Sequence, residues 1–123
     1  MTLAVDEAGS VAFSGLTLEI SRLRSKKLPA ARPRTEYFDA NSVGSPIQLR
    51  HWRPGDRFQP IGLTHDVKLQ DWFVNQKIPR EKRHQLVVAT NAAGAIFWVE
   101  SLRIGEKFKI TKETKAILQW RWR

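Results

Sequence analysis

Basic side chains gather around turn-forming residues in the middle of the chain, where residues 51–83 read HWRPGDRFQPIGLTHDVKLQDWFVNQKIPREKR. A guanidinium group grips a phosphate or carboxylate oxygen pair bidentately, and an ammonium group binds anions as a point charge. No nucleophile with an adjacent base stands among these residues. The stretch therefore predicts anion binding rather than covalent catalysis.

The RPGD segment at residues 53–56 is the first of two basic elements. Pro54 followed by Gly55 favours a type II turn, because glycine accepts the positive φ that the third position needs. Such a turn directs Arg53 and Arg57 outward beside Asp56. Two interpretations stay open: Asp56 pairs with one arginine and fixes the loop, or the paired arginine is held rigid for a phosphate oxygen.

The segment KIPREKRH at residues 77–84 is the second basic element. Pro79 suits the first turn of a short helix, where its missing N–H is no loss. With Lys77 just before this helix, one helix face would carry Arg80, Arg83 and His84. A nucleic-acid backbone fits this face, and a solvated charged surface with Glu81 as counter-ion is the alternative.

Residues of an enzyme active site are not recognisable. The chain has no cysteine, no GxxxxGK or GxGxxG loop and no serine in a nucleophile elbow. The three histidines, His51, His65 and His84, lack metal-ligand spacing. We therefore predict no catalytic residue, cofactor site or metal site in this chain.

The charge balance also indicates a polyanion as partner. Among 123 residues, 21 Lys and Arg stand against 12 Asp and Glu, which gives +9, and residues 1–20 contain neither Lys nor Arg. Such blocks are typical of nucleic-acid binders, although a highly soluble surface would look similar. No apolar run reaches the ~18 residues of a membrane span, and the acidic opening differs from an export signal. We expect a cytoplasmic protein without membrane contact.

The elements in the first half are predominantly strands. Alternating apolar residues predict strands near residues 3–5, 11–13 and 16–21, with a turn over 6–10. Residues 26–34 (KKLPAARPR) read as a surface loop, either a solvated connector or a further phosphate contact. Strands over 36–39 and 47–52 flank a predicted turn at 41–46 (NSVGSP).

The second half adds the helices. We expect Asp66 to cap a helix whose apolar face, Leu69, Trp72 and Phe73, packs in the core against the strand AIFWV at 95–99. The runs LVVA and AIFWV predict a hairpin across TNAAG. Further strands are expected at FKI, residues 108–110, and in the tail, where one face holds Leu118, Trp120 and Trp122.

These elements predict an α+β fold: a small antiparallel β-sandwich or sheet, layered, with a helical insert of about two short helices. The length suits a single domain. Within it, residues 1–46 supply N-terminal strands and the basic, proline-containing connector, and residues 47–123 form the core that carries the predicted binding residues.

The order of the motifs RPGDRFQPIG, KLQDWF, KIPREKR and WVESLRIGEKFKITKET is similar to the C-terminal domain of bacterial tRNA(Ile)-lysidine synthetase. The similarity covers about residues 47–118. The positions that match the family pattern are Arg50, Arg53, Gly55, Asp56, Arg57, Pro60, Gly62, Lys68, Leu69, Phe73, Lys77, Ile78, Pro79 and Arg80.

The resemblance implies a role in holding tRNA(Ile) with a CAU anticodon, on its acceptor-stem side. The family's enzymes use ATP to couple lysine to the wobble cytidine. ATP, and magnesium with it, would belong to an N-terminal catalytic domain with a Ser-Gly-Gly-x-Asp-Ser loop, which this chain lacks. The chain alone is therefore expected to be inactive, with that catalytic domain and the tRNA as partners.

Basic residues suit this role because duplex RNA is recognised mainly through phosphates, 2′-hydroxyls and shape. The residues predicted to contact RNA are Arg50, Arg53, Arg57, Lys68, Lys77, Arg80 and Arg83. Two other functions stay open: a basic module for structured RNA in general, or a structural domain that packs on a catalytic partner.

Overall fold

A computed structural model describes residues 2–3, 8–24, 27–100 and 106–123. Their strands are β1 Thr2–Leu3, β2 Ala8–Phe13, β3 Leu16–Leu23, β4 Thr35–Asp39, β5 Ile47–His51, β6 Arg57–Phe58, β7 Val67–Lys68, β8 Val87–Thr90, β9 Ile96–Val99 and β10 Ile117–Trp122. The helices are α1 Ala40–Val43, α2 Leu69–Asn75 and α3 Arg80–Arg83, and a 3-10 turn spans Glu106–Phe108.

Two four-stranded antiparallel sheets form the framework. Their strand orders are β1-β5-β8-β9 and β2-β3-β10-β4, and β6 pairs with β7 in a separate two-stranded ribbon. Each large sheet takes strands from both sides of residue 46, so residues 1–46 and 47–123 are interleaved in space. Buried residues of both sheets, among them Leu18, Phe38, Leu49 and Trp120, belong to one core cluster.

The alternating patterns predict the strands of the main core correctly. In β3 the buried residues Leu16, Leu18 and Ile20 alternate with less buried neighbours, as period-2 geometry requires. In β10 Leu118 and Trp120 are buried and Trp122 packs partly against the same core. The hairpin β8–β9 is also confirmed, with every residue of both strands buried.

A second, smaller core lies under α2. Leu69 and Phe73 are fully buried there together with Ile96 and Val99 of β9, and Trp72 is partly buried against them. The predicted packing of this helix against the strand at 95–99 is therefore confirmed. This core fixes α2 to the sheet, and with it the basic residues that precede and follow the helix.

The predicted helix cap at Asp66 is wrong. Residues 67 and 68 pair with β6 as the ribbon strand β7, so α2 begins at Leu69 and Lys68 occupies its N-cap position. The Asp66 carboxylate instead accepts two hydrogen bonds from the Arg57 guanidinium. Charge-assisted bonds of this kind are about twice as strong as neutral ones, which favours the ion pair over a cap.

Other local predictions also differ from the structure. The stretch predicted as a turn at 41–46 includes the short helix α1, because Asp39 accepts hydrogen bonds from the N–H groups of Asn41 and Ser42. The strand predicted at 108–110 is wrong. Phe108 is buried against Phe97 at the end of a 3-10 turn, and one anchored ring does not require an extended chain.

Pro79 immediately precedes α3 rather than forming its first residue, and its carbonyl accepts from the N–H groups of Lys82 and Arg83. The turn predicted over residues 6–10 is wrong for residues 8–10, which pair with β3 as the first part of β2. Residues 4–7 of the predicted strand and turn lie outside the described residues, as does Lys26 of the connector. None of the helices in the described ranges is long and apolar enough to cross a membrane.

Candidate nucleic-acid interface

A largely buried ion pair fixes the turn at the centre of the site. Arg50, near the end of β5, donates from both terminal nitrogens to Asp56, with Nη–Oδ distances of 2.8 and 3.0 Å. The two side chains are only 14% and 12% exposed. Arg50 also donates to the carbonyl of His51 at 3.0 Å. The Arg50 guanidinium is thus committed to holding the loop.

The RPGD segment forms the predicted reverse turn. The Asp56 N–H donates to the Arg53 carbonyl at 3.1 Å, and Gly55 has φ 91°, the left-handed value that the third position of a type II turn requires. Asp56 Oδ2 also accepts from the Arg53 N–H at 2.8 Å. This carboxylate therefore holds both ends of the turn, while the Arg53 side chain is exposed.

The ribbon after the turn places two cations side by side. Arg57 of β6 is directly opposite Lys68 of β7. Like charges in this position destabilise a strand pair unless an anion lies beside them. Phe58, the next residue, is buried in the second core, and strand alternation turns Arg57 to the opposite side, where it is exposed.

Asp66 lies beside this pair and holds Arg57 in place. Arg57 Nε and Nη2 donate to Asp66 Oδ1 at 3.0 and 2.8 Å, and both side chains are about half exposed, at 49% and 53%. The hydrogen bond raises the pKa of Arg57 and lowers that of Asp66. Because a depressed carboxyl pKa means that the folded state favours the ion, the pair is lost only as pH falls through that lowered pKa.

A cleft of about 280 Å³ opens between the turn, the ribbon and the β8–β9 hairpin. Its lining includes both ion pairs, Gly94 and Ala95 of the hairpin loop, and Lys107 of the 3-10 turn. Lys107 is exposed, and its charge contributes to the lowered pKa of Asp66. Among the described residues that line this cleft, three cations and two carboxylates give a net positive charge.

The remaining predicted residues surround the far end of α2. Lys77 has a left-handed backbone with φ 57° and is exposed, as is Arg80 at the start of α3. Arg83 Nε donates to the carbonyl of Ile78 at 2.9 Å, which braces the loop between the helices. Lys82 is also exposed on α3, although it is not among the residues predicted to contact RNA.

Trp52 connects the two basic groups. Its ring lies 5.8 Å from the ring of Phe73 and 5.4 Å from that of His84, measured between centroids. Trp52 directly precedes Arg53, and His84 directly follows α3. His84, at the end of α3, is therefore in ring contact with the residue that precedes the turn.

The seven predicted residues thus divide by role. Arg53, Lys68, Lys77 and Arg80 are exposed, Arg57 is exposed but paired, and Arg50 and Arg83 hold loops. Sequence reasoning missed Lys107 and Asp66 as members of the cleft. Lys107 stands within the motif WVESLRIGEKFKITKET, but the mistaken strand at 108–110 gave no reason to place it beside the turn.

The chain matches the family model described as "TilS substrate C-terminal domain" over residues 47–122. It is 37% identical over 119 residues to the tRNA(Ile)-lysidine synthase of Clostridium acetobutylicum, which covers 95% of this chain and 26% of that protein. It is also 37% identical over 81 residues to the enzyme of the same name from Geobacter sulfurreducens, covering 66% of this chain and 17% of the relative. The chain thus spans about a quarter or less of the length of these relatives.

Solved structures give the same fold. A crystal structure of a TilS C-terminal domain superposes with a TM-score of 0.81 at 21% identity and covers all of this chain and 95% of that one. An N-terminal fragment of the phenylalanyl-tRNA synthetase β-subunit from Pyrococcus horikoshii has a TM-score of 0.58 at 17% identity, over 72% of this chain and 27% of that one. The predicted α+β fold is confirmed. The family model matches well over half of the residues of this chain, and the chain therefore belongs to the TilS substrate C-terminal domain family.

Proposed function

We propose that this chain is the tRNA-binding C-terminal domain of a tRNA(Ile)-lysidine synthase and holds the acceptor-stem side of tRNA(Ile) in the cytoplasm. The observation that carries the proposal is a set of exposed cations on a rigidly held turn, ribbon and short helix, in a chain of this family. The catalytic domain of the same enzyme, with its ATP and magnesium, is the other partner.

The geometry suits a duplex RNA backbone. Side chains do not enter the deep major groove of A-form RNA, so a protein reads it through phosphates, 2′-hydroxyls and shape. Cations at fixed positions meet that requirement, and here they are fixed by the Arg50–Asp56 pair, by Gly55 and by the buried face of α2. Arg53, Arg57, Lys68, Lys77 and Arg80 are the proposed phosphate contacts. Arg50 and Arg83 position them.

The chain alone is proposed to catalyse no ATP-dependent ligation. Its sequence lacks a phosphate-binding glycine loop, and the described residues contain no group of three His, Asp or Glu side chains arranged to hold a metal ion. Incubation with ATP, lysine and tRNA(Ile) should release no pyrophosphate above background. Turnover by the isolated chain would contradict this assignment.

Removing two proposed phosphate contacts tests the binding face. The double variant Arg53→Gln/Arg80→Gln should bind tRNA more weakly and with a smaller salt dependence, because each phosphate contact releases counter-ions. The slope of log K against log salt concentration should decrease by about 0.7 to 0.9 for each lost contact, hence by about 1.5 in all. Fluorescence anisotropy over a salt series measures both quantities.

The double variant Arg24→Gln/Arg32→Gln is the matched control. It removes the same charge from two exposed arginines near and within the connector. General electrostatic attraction would make the two variants equivalent, whereas the proposed face predicts a much smaller change in slope for the control. A larger change in the control would place the binding face on the connector.

A further inference from the structure

The two carboxylate oxygens of Asp66 differ in their hydrogen bonds. Both hydrogen bonds from Arg57 end on Oδ1, so Oδ2 takes no part in this ion pair. The side chain is 53% exposed and lines the cleft of about 280 Å³ together with Lys107. The cleft is thus lined by a residue with one carboxylate oxygen outside the ion pair and by the cations Arg57 and Lys107.

A carboxylate is an unusual component of a phosphate-binding surface, because it repels the phosphates. What it can do is accept a hydrogen bond from a neutral donor. The cleft, at about 280 Å³, lies near the lower end of the volumes usual for small-molecule sites, which suits one small polar unit. On an RNA strand the donor that lies next to each phosphate is the ribose 2′-hydroxyl, which also distinguishes RNA from DNA.

We propose that the cleft binds one ribose–phosphate unit of the RNA, with Arg57 and Lys107 on the phosphate and Asp66 Oδ2 accepting a hydrogen bond from the 2′-hydroxyl. Asp66 is then a specificity-determining residue for RNA, and the inference rests on the proposed RNA-binding function. It also gives the carboxylate beside the like-charged pair Arg57 and Lys68 two roles: it orients Arg57 and accepts a hydrogen bond from the sugar.

The test compares two forms of one acceptor-stem minihelix, all-RNA and fully 2′-fluoro. Fluorine keeps the A-form but removes the hydroxyl donor. The unmodified protein should bind the RNA form about tenfold more tightly, the effect of one hydrogen bond to a charged acceptor. Asp66→Ala should bring this ratio close to one, and so should Asp66→Asn, because its single amide oxygen replaces Oδ1 as the acceptor for Arg57 and the amide nitrogen, a donor, replaces Oδ2. Glu81→Ala, an exposed carboxylate on α3, should leave the tenfold ratio unchanged.

The ratio separates this inference from the proposed function. Asp66→Ala removes the hydrogen-bond acceptor and a negative charge, so its affinity for the 2′-fluoro minihelix should rise or stay level while the ratio falls. Equal binding of both minihelices by the unmodified protein would overturn the sugar-reading role but leave RNA binding intact. A full tenfold ratio in Asp66→Ala would overturn it as well. Binding of neither minihelix would overturn the proposed function itself.

Discussion

Asp56→Ala is expected to lower the free energy of unfolding by about 3 kcal/mol or more, because it leaves the largely buried Arg50 guanidinium without its counter-ion. The substitution also removes the acceptor for the Arg53 N–H and so loosens the turn. Affinity for tRNA should therefore decrease even where the protein stays folded. Chemical denaturation monitored by tryptophan fluorescence gives the stability, and anisotropy gives the affinity.

The double variant Arg50→Met/Asp56→Leu distinguishes a broken ion pair from a general loss of structure. Replacing both charged partners by apolar residues should restore much of the stability, since no unpaired charge remains buried. Asp71→Ala, an exposed carboxylate on α2, should change the free energy of unfolding by no more than about 0.5 kcal/mol. If Asp56→Ala were as mild as Asp71→Ala, the pair would not be what fixes the turn.

Phe73→Ala should lower the free energy of unfolding by about 3 to 5 kcal/mol, the usual cost of removing a large ring from a core. Phe73 is fully buried with Leu69, Val99 and the ring of Trp52 around it. Thermal melting measures the loss. Val74→Ala, at an exposed position on the same helix, is the control and should be nearly neutral.

The Phe73→Ala variant also tests whether this ring has a role in RNA binding. As a core residue, Phe73 should affect RNA binding only through the position of α2. A variant that melted at nearly the same temperature but no longer bound RNA would show instead that the ring is a stacking surface for bases. The buried position of the ring predicts the first result.

Local patterns in the sequence were sufficient for the regular parts of the fold. The alternation at Leu16, Leu18 and Ile20 and the tail pattern at Leu118 and Trp120 identify strands because a half-buried strand has only one period. The helix containing Leu69 and Phe73 was predictable because its apolar residues recur at the three- and four-residue spacing of a helix face. The RPGD turn followed from the conformational freedom of Gly55.

Partner choice was not predictable, because it depends on tertiary contacts. From sequence, Asp56 stands next to Arg53 and Arg57, yet it pairs with Arg50, which the end of β5 brings across the turn. Asp66 reads as a helix cap because the two-residue strand after it is too short to leave a periodic pattern. Lys107 lines the cleft next to Phe108, whose ring is buried beside Phe97 in a contact that the sequence does not reveal.

The most direct measurement of the central claim is a residue-resolved NMR titration of the chain with an acceptor-stem minihelix. The proposed interface predicts the largest shift changes at the turn of residues 53–57, at Lys68 and Lys107, and from Lys77 through α3. An anticodon stem-loop of equal charge should compete poorly. Shift changes confined to the β2-β3-β10-β4 sheet, or equal competition by the anticodon stem-loop, would contradict the assignment of this face to the acceptor stem.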